Sequence, residues 1–305
     1  MKISAIIPAG LESDLDILNN LKDNKADVNF IIERGPNPSK NRNRGIKKTK
    51  TKFVAFLNAH TSLTEDWTKE VQTFFKEYPE IDIVGGPQLT SKEDPIFERA
   101  SGYILSSIFG TGEARTRYKI KNLDLNANEK HLTSANLICR RKVFNSVLFD
   151  ENLWPGEDPK FIDDAIKSGF RVAYSPNIRV YQKRRKNVSE LFKQVFNYGF
   201  TRTKKEGFLE TSKKPLFLVP SIFLLYLAVL PTLISLNLIF LAPILIYLSF
   251  NILFSLFEIS KNKDPSAIFL MPFLFLVVHL SYGFGFIYGL IVKYSLKNDK
   301  GFKES

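Results

Sequence analysis

Two apolar runs, Pro215 to Phe257 and Ile268 to Val292, set the outer limits on what this chain can fold into. A helical crossing of a bilayer takes about 20 apolar residues, so the first run is too long for one crossing and reads as two helices. Pro231 to Asn237 supplies the turn between them, and the second run is a third span. A stack of soluble core helices is the alternative, but these runs lack the polar face of a soluble helix. Glu258 to Ser266, with Lys261 and Lys263, is a polar loop. A break near Ser281-Tyr282-Gly283 would instead make the last run a re-entrant hairpin. The basic tail from Lys293 bears on that choice. With a cytoplasmic first domain, three crossings place this tail outside, against the preference of basic residues for the cytoplasmic side.

The residues before Pro215 are of another kind. They are mixed and basic, and long enough for one sizeable α/β domain. The organisation expected is an α/β domain over 1–186, a basic amphipathic helix and linker over 187–214, about three membrane helices over 215–292 and a polar tail over 293–305. Formal net charge is +12, from 43 Lys+Arg against 31 Asp+Glu, which fits nucleic acid, anionic lipid or phosphorylated substrates. Location decides among them. Lys183-Arg184-Arg185-Lys186, Lys204-Lys205 and Lys213-Lys214 lie just before the apolar half, as a flank facing anionic headgroups would. No zinc-finger spacing and no RNA-binding signature is present, so nucleic acid is not expected as a partner. Cys139 is the one cysteine, which excludes a disulfide framework and suits a reducing compartment and a buried apolar role. The apolar stretch in Met1 to Pro8 is too short for a signal peptide and reads as a strand. The expectation is a multi-pass protein of the cytoplasmic (inner) membrane with its first domain on the cytoplasmic side.

Strands are expected at Ile3–Ile7, Val28–Ile32, Phe53–Leu57, Ile81–Val84, Leu137–Arg140 and Arg171–Tyr174. Helices alternate with them: Asp14–Leu21, Lys40–Lys50, a helix capped by Thr64 that carries Trp67, Val71, Phe74, Phe75 and Tyr78, and Glu98–Phe109. Such alternation means a mostly parallel sheet covered on both faces. Gly110 to Lys130 is polar and glycine-punctuated, a loop that is either a mobile functional segment or a surface insertion. Asn187-Val188-Ser189-Glu190 resembles a capping box, and Val188, Leu191, Phe192, Val195 and Phe196 then mark one helix face. That helix lies on the bilayer surface or packs on the domain, and the neighbouring apolar spans favour the surface.

Chemistry concentrates at two places. Phe53 to Leu57 is a buried strand that runs into Asn58-Ala59-His60, and ligands of open α/β sheets bind at the carboxyl ends of strands. Asn58 and His60 stand two apart, so an amide oxygen and an imidazole can share a divalent cation that holds a diphosphate. The plainer reading has Asn58 capping a turn and His60 incidental. Gly156-Glu157-Asp158 follows an aromatic cluster, and adjacent acids in such a loop can supply the general base that a hydroxyl needs as it attacks. Its plainer reading is a solvated turn or the start of a helix Pro159 to Lys167.

In order, Ile6-Ile7-Pro8, Glu33, Arg42-Asn43-Arg44-Gly45-Ile46, Phe56-Leu57-Asn58-Ala59-His60, Gly85-Gly86, Phe149-Asp150-Glu151, Gly156-Glu157-Asp158 and Gln194 to Tyr198 resemble a family 2 glycosyltransferase with a GT-A domain. Within the family the likeness is to succinoglycan-type glucosyltransferases of exopolysaccharide assembly. It covers roughly residues 2 to 205 and rests on the order and spacing of the motifs together. The resemblance implies a GT-A, Rossmann-like mixed sheet and a role for each matching residue. Pro8, Glu33, Arg42 and Asn43 would line the nucleotide. His60 and Asn58 would hold manganese or magnesium. Asp158 would be the catalytic base, with Glu157 beside it. Gly86, Asn136, Arg184, Gln194 and Tyr198 would lie near donor or acceptor. The family's usual Asp-x-Asp is here Asn58-Ala59-His60, so its metal site carries less charge. Asn197-Tyr198 replaces Arg-Trp, which argues against a plain processive synthase.

The implied activity is inverting transfer of a hexose from a nucleotide-diphosphate sugar, a UDP-sugar, to a lipid-linked saccharide at the membrane. One alternative has polyprenyl phosphate itself as acceptor, with Arg184, Arg185 or Arg202 meeting its phosphate. Another is a catalytically dead membrane scaffold that keeps the fold.

Overall fold

The structure, a computed structural model, describes residues 2–12, 15, 27–153, 156–205, 211–212 and 215–301. The helix expected over Asp14–Leu21, Leu15 apart, lies outside the described residues, as do Trp154 and Lys213-Lys214.

In chain order the elements are β1 (Ile3–Ala9), β2 (Val28–Arg34), α1 (Pro38–Lys48), β3 (Phe53–Leu57), β4 (Thr61–Leu63), α2 (Trp67–Glu77), β5 (Ile83–Gly85), β6 (Gln88–Leu89) and α3 (Ile96–Ser106). They continue as β7 (Asn136–Arg140), α4 (Glu157–Lys167), β8 (Val172–Tyr174), β9 (Val180–Gln182), α5 (Val188–Lys205), α6 (Val219–Leu236), α7 (Ala242–Asn262) and α8 (Leu270–Gly301). The chain divides into two compact units, 1–94 with 113–183 and 95–112 with 184–305. A single continuous domain over 1–186 misses this, because 95–112 packs among the apolar helices.

The first unit is a mixed sheet in the order β2-β1-β3-β7-β5-β8, beside a small sheet β4-β9-β6. β1 pairs parallel with β2 and β3, and β5 with β8, while β7 runs antiparallel to both β3 and β5. The strands read as unbroken apolar runs because both faces are covered. Phe53, Ala55 and Leu57 point to one side, against Trp67, Val71, Phe74 and Phe75 of α2. Val54 and Phe56 point to the other, with Ile46 of α1 and Phe161 and Ile162 of α4. Cys139 is buried on β7, as its apolar role requires. α2 begins at Trp67 instead of at Thr64, whose hydroxyl donates to the Arg179 carbonyl at 3.3 Å. A tertiary partner took the side chain that local pattern assigned to the helix cap.

In the second unit, three helices are long and apolar enough to cross a membrane: Val219–Leu236, Leu238–Asn262 and Leu270–Lys293. α6 and α7 turn at Asn237, whose side chain accepts from the Ile239 N–H. α8 continues unbroken through Ser281-Tyr282-Gly283 to Gly301, so a re-entrant hairpin is not formed and the expected tail is helical up to that point.

The Asn187–Glu190 box forms, with the Glu190 N–H donating to Asn187 Oδ1 and Asn187 Nδ2 to Glu190 Oε1. The helix it starts lies lengthwise on α8. Phe192 meets Phe284, Phe196 meets Tyr288, and Lys293 Nζ donates to the Thr203 carbonyl, so the two helices run parallel. Glycines make the approach possible: a Cβ on Gly285 would lie 2.0 Å from the Phe196 carbonyl oxygen, and one on Gly199 2.2 Å from that of Tyr282. α3 joins the same unit. Arg99 pairs with Asp264 at 2.7 Å and the Tyr103 hydroxyl donates to it at 2.9 Å. The Arg99 bond outweighs burial and holds the Asp264 carboxyl well below its usual range. Farther along, His279 Nε2 stands 2.8 Å from the Phe109 carbonyl oxygen, which only accepts. Nε2 therefore carries the proton, and Nδ1 accepts from the Tyr247 hydroxyl at 3.0 Å.

Candidate active site

The antiparallel β7 gathers the motif residues at one sheet edge. Pro8 faces Glu33 across β1 and β2, at the carboxyl end of both strands. Asn58 and His60 follow β3 at the same edge. Because β7 runs the other way, its first residue, Asn136, pairs with Leu57, and Gly85 of β5 pairs with Leu137. Carboxyl ends of parallel strands are where such sheets bind ligands.

Helix α1 ties the edge together. Asn37 caps it by accepting from the Lys40 N–H, Pro38 sits in its first turn, and Lys47 and Lys48 complement its negative end. Asn41 Nδ2 donates to the Ala9 and Gly35 carbonyls, pinning the ends of β1 and β2. Arg42 Nη1 pairs with Glu157 Oε1 at 2.8 Å. Asn43 exchanges bonds with the Phe149 backbone, 2.9 Å from its Nδ2 and 3.1 Å to its Oδ1, and reaches Glu151. Arg42 and Asn43, expected at the nucleotide, are 4% and 5% exposed and are turned to the acid-bearing segment. Glu33 is likewise engaged, with Arg44 at 3.1 Å and Lys48 at 2.5 Å. Burial works to raise its carboxyl, but these two cations outweigh it and hold the group below its ordinary value.

The acids stand in the first turn of α4. Gly156 caps it with φ of 110°, a left-handed conformation open to glycine and costly for other residues. Glu157 and Asp158 meet the positive end of the helix. Asp158 Oδ2 accepts the Ser134 N–H at 3.1 Å, while Oδ1 is buried without a hydrogen-bond partner. Arg42 Nη2 stands 3.7 Å from that oxygen, too far for a hydrogen bond. Burial and the Asp158 charge push the Glu157 carboxyl up, against Arg42. A carboxylate held by one oxygen, with no hydrogen bond at the other, can accept a proton.

The remaining candidates are placed as follows. Asn58 and His60 belong to a turn closed by the Thr61 N–H donating to the Asn58 carbonyl, and the His60 carbonyl accepts from the Lys183 N–H. No group of three or more His, Cys, Asp and Glu side chains is placed to hold a metal ion among the described residues. Asn136 is buried, accepting from Trp67 Nε1 and donating to the Ile178 carbonyl. Gly86 packs against the same segment, for a Cβ there would lie 1.8 Å from the Ile178 oxygen. Arg184, Gln194 and Tyr198 belong to the second unit, where Gln194 Nε2 donates to the Tyr198 hydroxyl at 2.9 Å. Sequence reasoning missed Asn41 and Ser134. Asn41 shares a helix face with Arg44 and Lys48, a spacing that could have found it. Ser134 acts through its backbone N–H, which has no residue signature.

Residues 12–148 match the model of glycosyl transferase family 2. A relative from Methanococcus voltae, a dolichyl N-acetyl-alpha-D-glucosaminyl phosphate 3-beta-D-2,3-diacetamido-2,3-dideoxy-beta-D-glucuronosyltransferase, is 28% identical over 258 residues, covering 82% of this chain and 74% of that protein. Among solved structures, S. aureus TarS 1-349 in complex with UDP-GlcNAc is similar at a TM-score of 0.44 and 15% identity, over 67% of each chain. A197 from STIV is similar at a TM-score of 0.39 and 14% identity, over 61% of this chain and 95% of that one.

Proposed function

Because this chain is a family 2 glycosyltransferase, we propose that it moves a hexose from a UDP-sugar to a hydroxyl of a saccharide carried on a polyprenyl phosphate, with inversion, at the cytoplasmic face of a membrane. The observation that carries the reading is Asp158, fixed by the Ser134 N–H through one carboxylate oxygen and without a hydrogen bond at the other. In the proposed step the acceptor hydroxyl gives its proton to Asp158 and its oxygen bonds to the anomeric carbon. The bond from that carbon to the diphosphate breaks, and the diphosphate leaves with the electron pair. The lipid-linked acceptor is supported by three helices long and apolar enough to span a membrane and by the relative's name, which specifies a dolichyl-linked sugar phosphate. Arg184, Gln194 and Tyr198 are assigned to the acceptor's vicinity on the family pattern.

Asn58 and His60 offer two neutral donors, which fit a manganese or magnesium ion only if the diphosphate brings the other ligands. Such an ion, when bound, would neutralise charge developing on the leaving group. His60→Ala is expected to remove the manganese-dependent part of nucleotide affinity. Titration calorimetry with UDP in manganese and in chelator checks this, and an unchanged ratio of the two dissociation constants overturns it.

The full chain in vesicles, given a polyprenyl-phosphate-linked sugar and a panel of UDP-sugars, should release UDP only when donor and acceptor are both present. A lipid product with one added neutral glycosidic bond supports the reading. A new phosphodiester made from polyprenyl phosphate alone replaces it with the other acceptor class. Absence of transfer with every donor overturns it.

A further inference from the structure

We propose that Arg42 is a positioning residue for the acid pair: its guanidinium holds Glu157 and so leaves Asp158 free to take the acceptor's proton. The inference rests on Asp158 being the base. Arg42 is 4% exposed, on a helix tied at both flanks by Asn41 and Asn43, and its guanidinium lies 5.1 Å from the centre of the Phe149 ring. It therefore has little freedom to turn outward toward a phosphate. Its contacts with the acids are unequal: 2.8 Å from Nη1 to Glu157 Oε1, and 3.7 Å from Nη2 to Asp158 Oδ1.

Two adjacent carboxylates resist ionising together, so an unpaired site keeps one proton. If that proton sat on Asp158, the base would be blocked. A cation hydrogen-bonded to Glu157 offsets part of the repulsion between the two. Because it makes no hydrogen bond to Asp158, it does not cap the oxygen that must accept the proton. Burial and the Asp158 charge both push Glu157 toward protonation, with Arg42 as the countering cation. The other charged groups nearby are already engaged. Glu151 accepts from Asn43, Lys160 pairs with Asp164 at 2.6 Å, and His131, three residues before Ser134, faces Asp124 at 3.8 Å.

The test compares the full chain in vesicles with Arg42→Gln, Arg42→Lys and the double variant Arg42→Gln with Glu157→Gln, measuring kcat and donor KM against pH. Arg42→Gln should lower kcat on the order of 10²-fold, the scale of a small misplacement of reacting groups. Its donor KM should change little, and the acid limb of its kcat profile should move to higher pH. Arg42→Lys should fall between. Removing the Glu157 carboxyl as well should return the acid limb toward that of the wild type. A raised donor KM with the acid limb in place would make Arg42 a nucleotide contact and overturn the proposal. Thermal unfolding gives a second readout that needs no turnover. Arg42→Gln should lower the midpoint and the added Glu157→Gln should recover part of it, whereas additive losses overturn the pairing. A wild-type chain without transferase activity would defeat the proposed function, and the unfolding cycle would still decide the pairing.

Discussion

Asp158→Asn is expected to lower transfer to the lipid-linked acceptor by about 10²–10⁴-fold, the usual contribution of a general base. The substitution keeps the size of the side chain and an oxygen for the Ser134 N–H, which now donates to Asp158 Oδ2 at 3.1 Å. What disappears is the basicity of the second oxygen, the atom without a hydrogen-bond partner. UDP affinity should be retained, because the substitution leaves the β1 and β2 ends and the Asn58–His60 turn untouched. Glu157→Gln should cost less, since its carboxylate is committed to Arg42 at 2.8 Å. Single-turnover rates with saturating donor, beside UDP binding to each variant, separate the two acids. Wild-type turnover in Asp158→Asn would remove the base from Asp158. Equal losses in both variants would mean that the acids act as one unit.

The largest effect on stability is expected at Gly86. A Cβ added there would lie 1.8 Å from the Ile178 oxygen, 2.8 Å from its carbonyl carbon and 2.9 Å from the Ser175 oxygen. All three are backbone atoms that cannot rotate away, so the segment 175–178 must move as a body. Overpacking of a filled interior costs about 1–3 kcal/mol and occasionally more, and Gly86→Ala should reach or pass the upper end. The damage reaches the site edge directly, because Asn136 Nδ2 donates to that same Ile178 carbonyl at 2.7 Å. Thermal unfolding of the full chain in detergent, followed by tryptophan fluorescence, should show a lowered midpoint. Trp67, whose Nε1 donates to Asn136 Oδ1, reports on the same joint. A wild-type midpoint with lost transfer would instead make Gly86 a substrate contact, as the family resemblance implies.

The expected strands were legible because burial on both faces writes unbroken apolar runs, and β1 and β3 lie where those runs are. The acid motif was legible for a local reason too. Gly156 takes a left-handed conformation, and acids favour the first turn that follows it. Matches to known proteins reach the family and stop short of the succinoglycan-type subgroup. The roles of α1 were only half legible. Arg42 and Asn43 stood out as a motif, but their partners, Glu157 and Phe149, are 115 and 106 residues away in sequence.

By itself, the sequence determined the alternation of apolar strands and amphipathic helices, the three apolar spans and the acid-bearing turn, because each depends on neighbours within a few residues. Tertiary structure alone decided three other things. The reversal of β7 put Asn136 and the Ser134 N–H at the carboxyl edge of β1, β3 and β5, and no residue type in β7 encodes its direction. Residues 95–112 joined the apolar helices through Asp264 and His279, charge and hydrogen-bond partners more than 160 residues away. Helix α5 went lengthwise onto α8 because Gly199 and Gly285 bring two backbones within touching distance. An amphipathic face shows that a helix must bury one side, and only the shape of the surface it meets decides against what.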